Sequence, residues 1–419
     1  MELHSSLSPP LHGSVRAPPS KSVTHRALLL ALLADGASTL RNPLRSADTE
    51  STMHAISLMG GRIYEDRDLR IEPEFHQAED VIDARNSGTT ARLMASVCAL
   101  PGGYAAITGD SSLRRRPMAP LITAVRQLGG HAFSMLGNGR LPAVFGGRMR
   151  GKEAKLRADM SSQFLSSLAI SCPLKDSDTA IRLQGMLQSA DYFRMTLQMC
   201  SYFGVRQVFE DGTLYCSGGR RYRGRSITIP GDFSSASFLF AASAVTGGDI
   251  TVTSLSTRFA QADARILEML AEAGCKVRKG RDRIHISGKA ESSGCFDCSQ
   301  SPDIFPVMCV VASSVKGRST VIGSSALRFK ETDRIMSTCS MLRSIGVQFR
   351  EEGGGIEIIG GSVRGGRVDS GGDHRIAMSA CVAGLISERG IRVEGDTPSV
   401  SYPSFLEDIR SLGGRIDVL

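Results

Sequence analysis

The stretch SADTESTMHAISLMGGRI, residues 46–63, carries the pattern on which the fold is read. A polar, acidic opening leads into apolar residues spaced three and four apart, the period of a helix with one buried face. Gly60 then supplies a helix stop, and a strand-forming run follows. The same ending returns in QLGGHA (127–132), YFGVRQ (202–207), EAGCKV (272–277), SIGVQF (344–349) and SLGGRI (411–416), about every 70 residues. Between these endings lie more apolar helical segments such as TARLMASVCAL, SSASFLFAASAV and HRIAMSACVAGL. Each repeat therefore reads strand, helix, strand, helix, strands. Six repeats in 419 residues predict an α/β protein of two domains with three repeats each, apolar helices inside and amphipathic ones outside. The boundary is expected near residue 230, after the Gly- and Arg-rich SGGRRYRGRSITIPGD.

Apolar residues make up 41% and charged residues 22%, the balance of a soluble globular protein. The formal net charge of +8 suits nucleic acid, a membrane surface or small anions. There is no Trp, aromatics reach only 5%, and the longest basic run is Arg114-Arg115-Arg116, so a base-stacking platform is disfavoured. Nine of the 50 basic residues are Lys, and the excess of Arg fits bidentate anion recognition as well as a plain compositional bias. The ten Cys are scattered, and the one close pair, Cys295 and Cys298, has no second pair or His doublet at zinc spacing, which points to a reduced, cytoplasmic protein with no structural metal. No leader or apolar run of membrane length is expected.

PPSKSVTHRALLLALLADG, residues 18–36, reads as a helix starting near Ser20, yet Lys21, His25 and Arg26 crowd its first turns. Backbone dipoles favour acidic groups there, so the cations imply a negative partner. The oddity recurs. RNSGTTARLM places Arg85 and Arg92 around a helix start, SLRRRPMAPLI places Arg116 ahead of Pro117, and GDHRIAMSA places His374 and Arg375 at another. ADMSSQFLSSLA adds the donors Ser161, Ser162 and Gln163. Such starts are anion sites in waiting. Neither a P-loop nor a dinucleotide fingerprint is present, so the expected ligands are compact, multiply charged anions. Asp303 in SPDIFPVM and Glu331 in RFKETDR are the carboxylates suited to proton transfer. Asp303 also fits a helix N-cap, and KETDR an ion-paired helix surface.

PSKSVTHR, RNSGTTAR, LRRRPM, SSQFLSSL, PGDFSSASF, SPDIFP, RFKETDR and GDHRIAM occur in order along nearly the whole chain. In this the sequence resembles the 5-enolpyruvylshikimate-3-phosphate synthase family of enolpyruvyl transferases. The resemblance implies a two-domain inside-out α/β barrel built from six βαβαββ repeats, three per domain. Residues 21–230 would form the first domain and 231–419 the second, completed by an N-terminal strand from residues 1–20, with helix N-termini aimed at an interdomain cleft. The missing negative charges would belong to shikimate 3-phosphate and phosphoenolpyruvate.

The resemblance assigns shikimate 3-phosphate to Lys21, Ser22, Arg26, Ser161, Ser162, Gln163, Ser189, Tyr192, Asp303 and Lys330. It assigns phosphoenolpyruvate to Lys21, Gly88, Arg116, Gln163, Arg334 and Arg375, with Asn86, Arg92 and His374 close by. Asp303 would accept the 5-hydroxyl proton, Glu331 would protonate the methylene, and Lys21 joins them as catalytic. No cofactor or metal is implied. Partners are the two anionic substrates, with no nucleic acid or membrane, and a monomer is expected. Ala326 stands where many members carry Asn, and Val400 where many carry Lys. The rivals are the sister transferase acting on UDP-N-acetylglucosamine and, from another class, a nucleic-acid-binding repeat protein. Lys21-Ser22, where the sister has Lys-Asn, and the lack of Cys between Cys98 and Cys172 weigh against the first. Asp303 and Glu331 would have no role in the second.

Overall fold

In the computed structural model, which describes residues 2–395 and 398–419, all six repeat-ending glycines have left-handed backbones: Gly60 at φ 87°, Gly129 at 80°, Gly204 at 98°, Gly274 at 105°, Gly346 at 76° and Gly413 at 94°. A side chain is strained at such angles, so Gly is the residue that lets each helix stop and turn into its strand. The helices so ended are α2 (Ala47–Ser57), α4 (Ala119–Gln127), α6 (Ala190–Tyr202), α8 (Ile266–Glu272), α10 (Arg334–Ser344) and α12 (Phe405–Ser411). Six others, α1 (Lys21–Leu32), α3 (Gly88–Val97), α5 (Gln163–Ser171), α7 (Phe233–Thr246), α9 (Phe305–Ser314) and α11 (His374–Gly384), are the apolar helices.

The chain forms two compact units, one of Pro19–Ile229 and one that joins the residues up to Pro18 with Pro230–Leu419. Among the described residues there are six four-stranded sheets, and all share one topology. In spatial order the first strand pairs parallel with the second, the second antiparallel with the third, and the third antiparallel with the fourth. In the Pro19–Ile229 unit the sheets, in spatial order, are Ser226–Thr228, Ser38–Arg41, Leu69–Pro73, Gly61–Glu65; then Ile82–Asp83, Tyr104–Thr108, Ala143–Gly146, His131–Ser134; then Glu153–Arg157, Thr179–Gln184, Thr213–Cys216, Val208–Glu210. In the other unit they are His12–Arg16, Asp249–Thr253, Arg283–Ser287, Lys276–Lys279; then Cys295–Asp297, Gly317–Ile322, Gly355–Gly360, Gln348–Glu352; then Gly366–Asp369, Ile391–Glu394, Glu2–Ser6, Arg415–Val418.

Three of these sheets contain long-range closures. Ile227 lies opposite Leu40, Val15 opposite Val252, and Leu3 opposite both Val393 and Val418. Two N-terminal strands, rather than one, therefore complete the second unit. In each unit the three apolar helices are buried on every face: α7, for example, buries all its residues from Phe233 to Val245. That requires small residues where helices meet, and Ala236, Ala241, Ala242 and Ala244 supply them. The amphipathic helices cover the outside of this core with one face, as α4 does with Leu121, Ile122 and Val125. Because the apolar helices have no exposed face, the residues in them that keep some exposure, such as Lys21, Ser22, Thr89 and Gln163, lie in their end turns.

Candidate active site

In the Pro19–Ile229 unit, the starts of α1, α3 and α5 carry the residues singled out above. Ser20 caps α1 by accepting from the Val23 amide, which sets Lys21 as the first helical residue. The Lys21 ammonium pairs with Asp48 at 2.8 Å, both side chains being largely buried. Asp48, in the first turn of α2, is thus an internal counter-ion that the reading of 18–36 alone missed. Its signal was the acidic opening of 46–63. Arg26 is buried and donates to Thr196 Oγ1 (2.7 Å), the Ser22 carbonyl (2.9 Å) and the Tyr192 carbonyl (3.2 Å). Burial lowers its pKa to about 10, with Tyr192 and Cys200 acting the other way. It joins α1 to α6, and through Thr196 and Ser166 to α5. His25 is corrected from a cation to a neutral imidazole: burial first, then Lys21 and Arg26, hold its pKa well below the ordinary value.

Ser87 caps α3 at Thr90 N, so Gly88 opens that helix. A Cβ on Gly88 would come within 3.0 Å of Arg116 Nη1, so the glycine lets the guanidinium approach the backbone. Arg116 donates to Asn86 Oδ1 at 2.5 Å, and Asn86 in turn donates to Asp110 at 2.6 Å. Arg92 donates to Gln163 Oε1 at 2.8 Å, and Gln163 Nε2 to Thr89 Oγ1 at 2.9 Å, tying α3 to the first residue of α5. Arg92 also lies over the Phe164 ring. Ser161 accepts from the Gln163 amide at 3.2 Å, and Ser162 is the buried N-cap residue. Ser189, at φ 53°, begins α6, and its carbonyl accepts from the Tyr192 amide. A serine held in this region is strained, a feature concentrated at functional positions.

In the other unit, one guanidinium organises the chemistry. Arg334, the first residue of α10, donates to Asp303 (2.7 Å), Glu331 (2.6 Å) and Asp373 (2.9 Å), and is only 1% exposed. Asp303 also has Arg375 at 3.6 Å and Lys330 at 3.7 Å. Burial pushes the Asp303 carboxyl up, but Lys330, Arg375 and Arg334 together hold it well below the usual carboxylate range. Arg334 is driven the opposite way: burial lowers its pKa, and the three carboxylates raise it above the ordinary value. His374 and Arg375 are buried at the start of α11.

Two readings are corrected here. Asp303 is not an N-cap: Ile304 holds that position and α9 begins at Phe305. KETDR is not a helix surface either, since Asp333 caps α10 and Lys330-Glu331 precede it. Asp373 was missed. It caps α11 while gripping Arg334, and its signal was the Asp directly before His374 in GDHRIAM.

A family model described as EPSP synthase (3-phosphoshikimate 1-carboxyvinyltransferase) matches residues 7–409. The chain belongs to the EPSP synthase family. The 3-phosphoshikimate 1-carboxyvinyltransferase of Methanothermobacter thermautotrophicus is 39% identical over 422 residues, covering 100% of both chains. That of Methanothrix thermoacetophila is 40% identical over 413 residues, covering 97% of each. Among solved structures, an EPSP synthase from Acinetobacter baumannii superposes with a TM-score of 0.82 at 26% identity, covering 99% of each chain. The two departures from the EPSP synthase pattern lie in short turns of the unit that holds Arg334. Ala326 is buried in Ser325–Phe329, and Val400 is half-buried in Pro398–Val400.

Proposed function

We propose that this protein transfers the enolpyruvyl group of phosphoenolpyruvate to the 5-hydroxyl of shikimate 3-phosphate and releases phosphate, a step of the shikimate pathway toward aromatic amino acids. Besides membership of the family, the observation that carries the reading is the convergence of Asp303 and Glu331 on Arg334, with Lys330 and Arg375 beside them. An acid and a base for one reaction must lie within reach of one ligand.

The residues fit the chemistry as follows. Lys21, Ser22, Arg26, Ser161, Ser162, Gln163, Ser189, Tyr192 and Lys330 hold shikimate 3-phosphate. Lys21, Gly88, Arg116, Gln163, Arg334 and Arg375 hold phosphoenolpyruvate, with Asn86, Arg92 and His374 supporting them. Glu331 gives a proton to C3 of phosphoenolpyruvate, which turns the methylene into a methyl and leaves C2 electrophilic. The 5-hydroxyl oxygen bonds to C2 as its proton passes to Asp303. From the tetrahedral adduct the C2–O bond to phosphate breaks, a C3 proton returns to Glu331, and the enol double bond is restored. Fixed cations stabilise the phosphate throughout.

The paired carboxylates suggest how binding prepares this chemistry. Asp303 is a weak base while Lys330, Arg334 and Arg375 surround it. Anionic substrates that engage those cations compensate their charge, so Asp303 gains basicity only when there is a hydroxyl to deprotonate. Arg334 is likewise shared between Glu331 and an incoming anion.

A phosphate-release assay with phosphoenolpyruvate and shikimate 3-phosphate, run beside UDP-N-acetylglucosamine, tests the substrate. Turnover is expected with the first acceptor and none with the second. Asp303→Asn and Glu331→Gln are each expected to lower turnover by about two to four orders of magnitude while calorimetry shows shikimate 3-phosphate binding retained. Turnover within a few-fold of wild type in both variants would remove the assigned roles.

A further inference from the structure

Beneath the Lys21 and Gly88 positions runs a buried chain of groups that the reaction does not use. His25 Nδ1, on α1, lies 2.6 Å from Thr52 Oγ1 on α2. Thr52 Oγ1 lies 2.7 Å from Thr90 Oγ1 on α3, and Thr90 donates to the cap residue Ser87 at 2.8 Å. Thr90 also reaches the Asp48 carbonyl at 3.4 Å, and the Asp48 carboxylate holds Lys21. Lys21 and His25 are one helical turn apart on α1, so the chain closes on itself: Lys21, Asp48, Thr90, Thr52, His25 and back. None of His25, Thr52 and Thr90 is exposed to solvent.

Hydrogen-bond accounting gives the chain a direction. With the proton on Nδ1, His25 donates to Thr52, Thr52 to Thr90, and Thr90 to Ser87 or the Asp48 carbonyl. His25 Nε2, which meets no hydrogen-bonding group among the described residues, is then a bare lone pair. The reverse tautomer would bury an N–H with no acceptor, the costlier arrangement. The charged neighbours of His25 are Lys21 and Arg26, both cations, which opposes a third positive charge.

We propose that His25 is a positioning residue which, through Thr52 and Thr90, keeps the first turns of α1 and α3 in one fixed relation, so that Lys21, Gly88 and Arg92 engage bound anions together. The proposal rests on the reaction assigned above. It requires a hydrogen-bonding nitrogen at the place of Nδ1 and none at the place of Nε2. Asn can put its amide at the first place; the longer Gln reaches the second.

The test compares wild type with His25→Asn, His25→Gln, His25→Ala and Thr52→Val. His25→Ala, His25→Gln and Thr52→Val are expected to raise KM for phosphoenolpyruvate by about tenfold with kcat changed less than about threefold, the scale of one lost buried hydrogen bond. His25→Asn should restore KM to within about threefold of wild type. The kcat/KM profiles of wild type and His25→Asn should superpose over about pH 6 to 8, since a neutral histidine contributes no titration there. Asn and Gln variants that behave alike, or loss of a limb of the pH profile in His25→Asn, would overturn the proposal. Amide hydrogen exchange supplies a readout that needs no turnover. In His25→Ala and His25→Gln the segments 20–26 and 86–92 should exchange faster together, while His25→Asn matches wild type. Exchange that loosens segment 20–26 alone would sink the coupling, whereas a wild type that fails to turn over would count against the assigned reaction instead.

Discussion

The Arg334 guanidinium donates to both carboxylate oxygens of Asp373, at 2.9 and 3.3 Å, inside protein that leaves neither side chain more than 1% exposed. Asp373 Oδ1 also caps α11 by accepting from the Arg375 amide at 2.9 Å. One carboxylate therefore fixes the starts of two helices that carry candidate anion-binding groups. The guanidinium reaches Asp373, Asp303 and Glu331 from three separate nitrogens in one plane, a span that the single nitrogen of an ammonium does not match.

Arg334→Lys keeps the charge and loses the fork. It is expected to destabilise the protein by about 3 kcal/mol, the low end for breaking a buried ion pair. Urea unfolding of wild type and variant measures the difference. A loss below about 1 kcal/mol would class these contacts with surface pairs.

Asp303 gives the acid limb of stability a definite sign. Its folded pKa lies well below that of an unfolded aspartate, so its ionic contribution is complete above about pH 4 and is lost as pH falls through the folded value. Asp303→Asn should flatten the fall in stability below about pH 4 relative to wild type and leave the slope near neutrality unchanged. Unfolding free energies measured from pH 7 downward check this; parallel acid slopes would contradict it.

Gly88→Ala puts a methyl 3.0 Å from Arg116 Nη1, tighter than an ordinary carbon–nitrogen contact. Arg116 is held by Asn86 and must shift by a few tenths of an ångström. A KM for phosphoenolpyruvate raised about tenfold or more is expected, with stability within about 1 kcal/mol of wild type. Unchanged KM would mean that Arg116 does not contact that substrate.

What could be read from the sequence was local. Gly60 and its five counterparts mark helix ends because a left-handed turn leaves little choice of residue, and Ser20 marks a helix start because its hydroxyl has one task there. Pairings set by tertiary structure had no such mark. Nothing in Ser226–Thr228 announces Ser38–Arg41 as its partner, and Asp373 looked like one more polar residue until α10 brought Arg334 against it. His25 shows the same limit. By its position in the sequence it stands among the cations of the helix start, whereas burial, then Lys21 and Arg26, hold its pKa well below the ordinary value and oppose its charged form.

The arginines nearest position 400 in sequence, Arg392 and Arg410, have partners of their own. Arg392 lies 4.0 Å from Glu2, and Arg410 donates to the Ile416 carbonyl at 2.6 Å and lies 3.4 Å from Asp417. Val400→Lys is therefore expected to lower KM for phosphoenolpyruvate by about tenfold or more, the worth of one charge-assisted hydrogen bond, and to leave shikimate 3-phosphate affinity unchanged. No gain in steady-state kinetics would place position 400 away from that substrate.

The strand Glu2–Ser6 lies between Ile391–Glu394 and Arg415–Val418, which makes it an interior member of its sheet. It is synthesised before the whole Pro19–Ile229 unit, whereas both of its partners are synthesised after that unit. The Pro19–Ile229 unit, by contrast, has every strand of its three sheets once Thr228 has been made. Closing so long a loop adds little to the entropy cost, about 0.6 kcal/mol for each doubling of length. The delay is one of time rather than equilibrium: Glu2–Ser6 waits for Ile391–Glu394 and Arg415–Val418, and the second unit lacks its last strand until Val418 has been made.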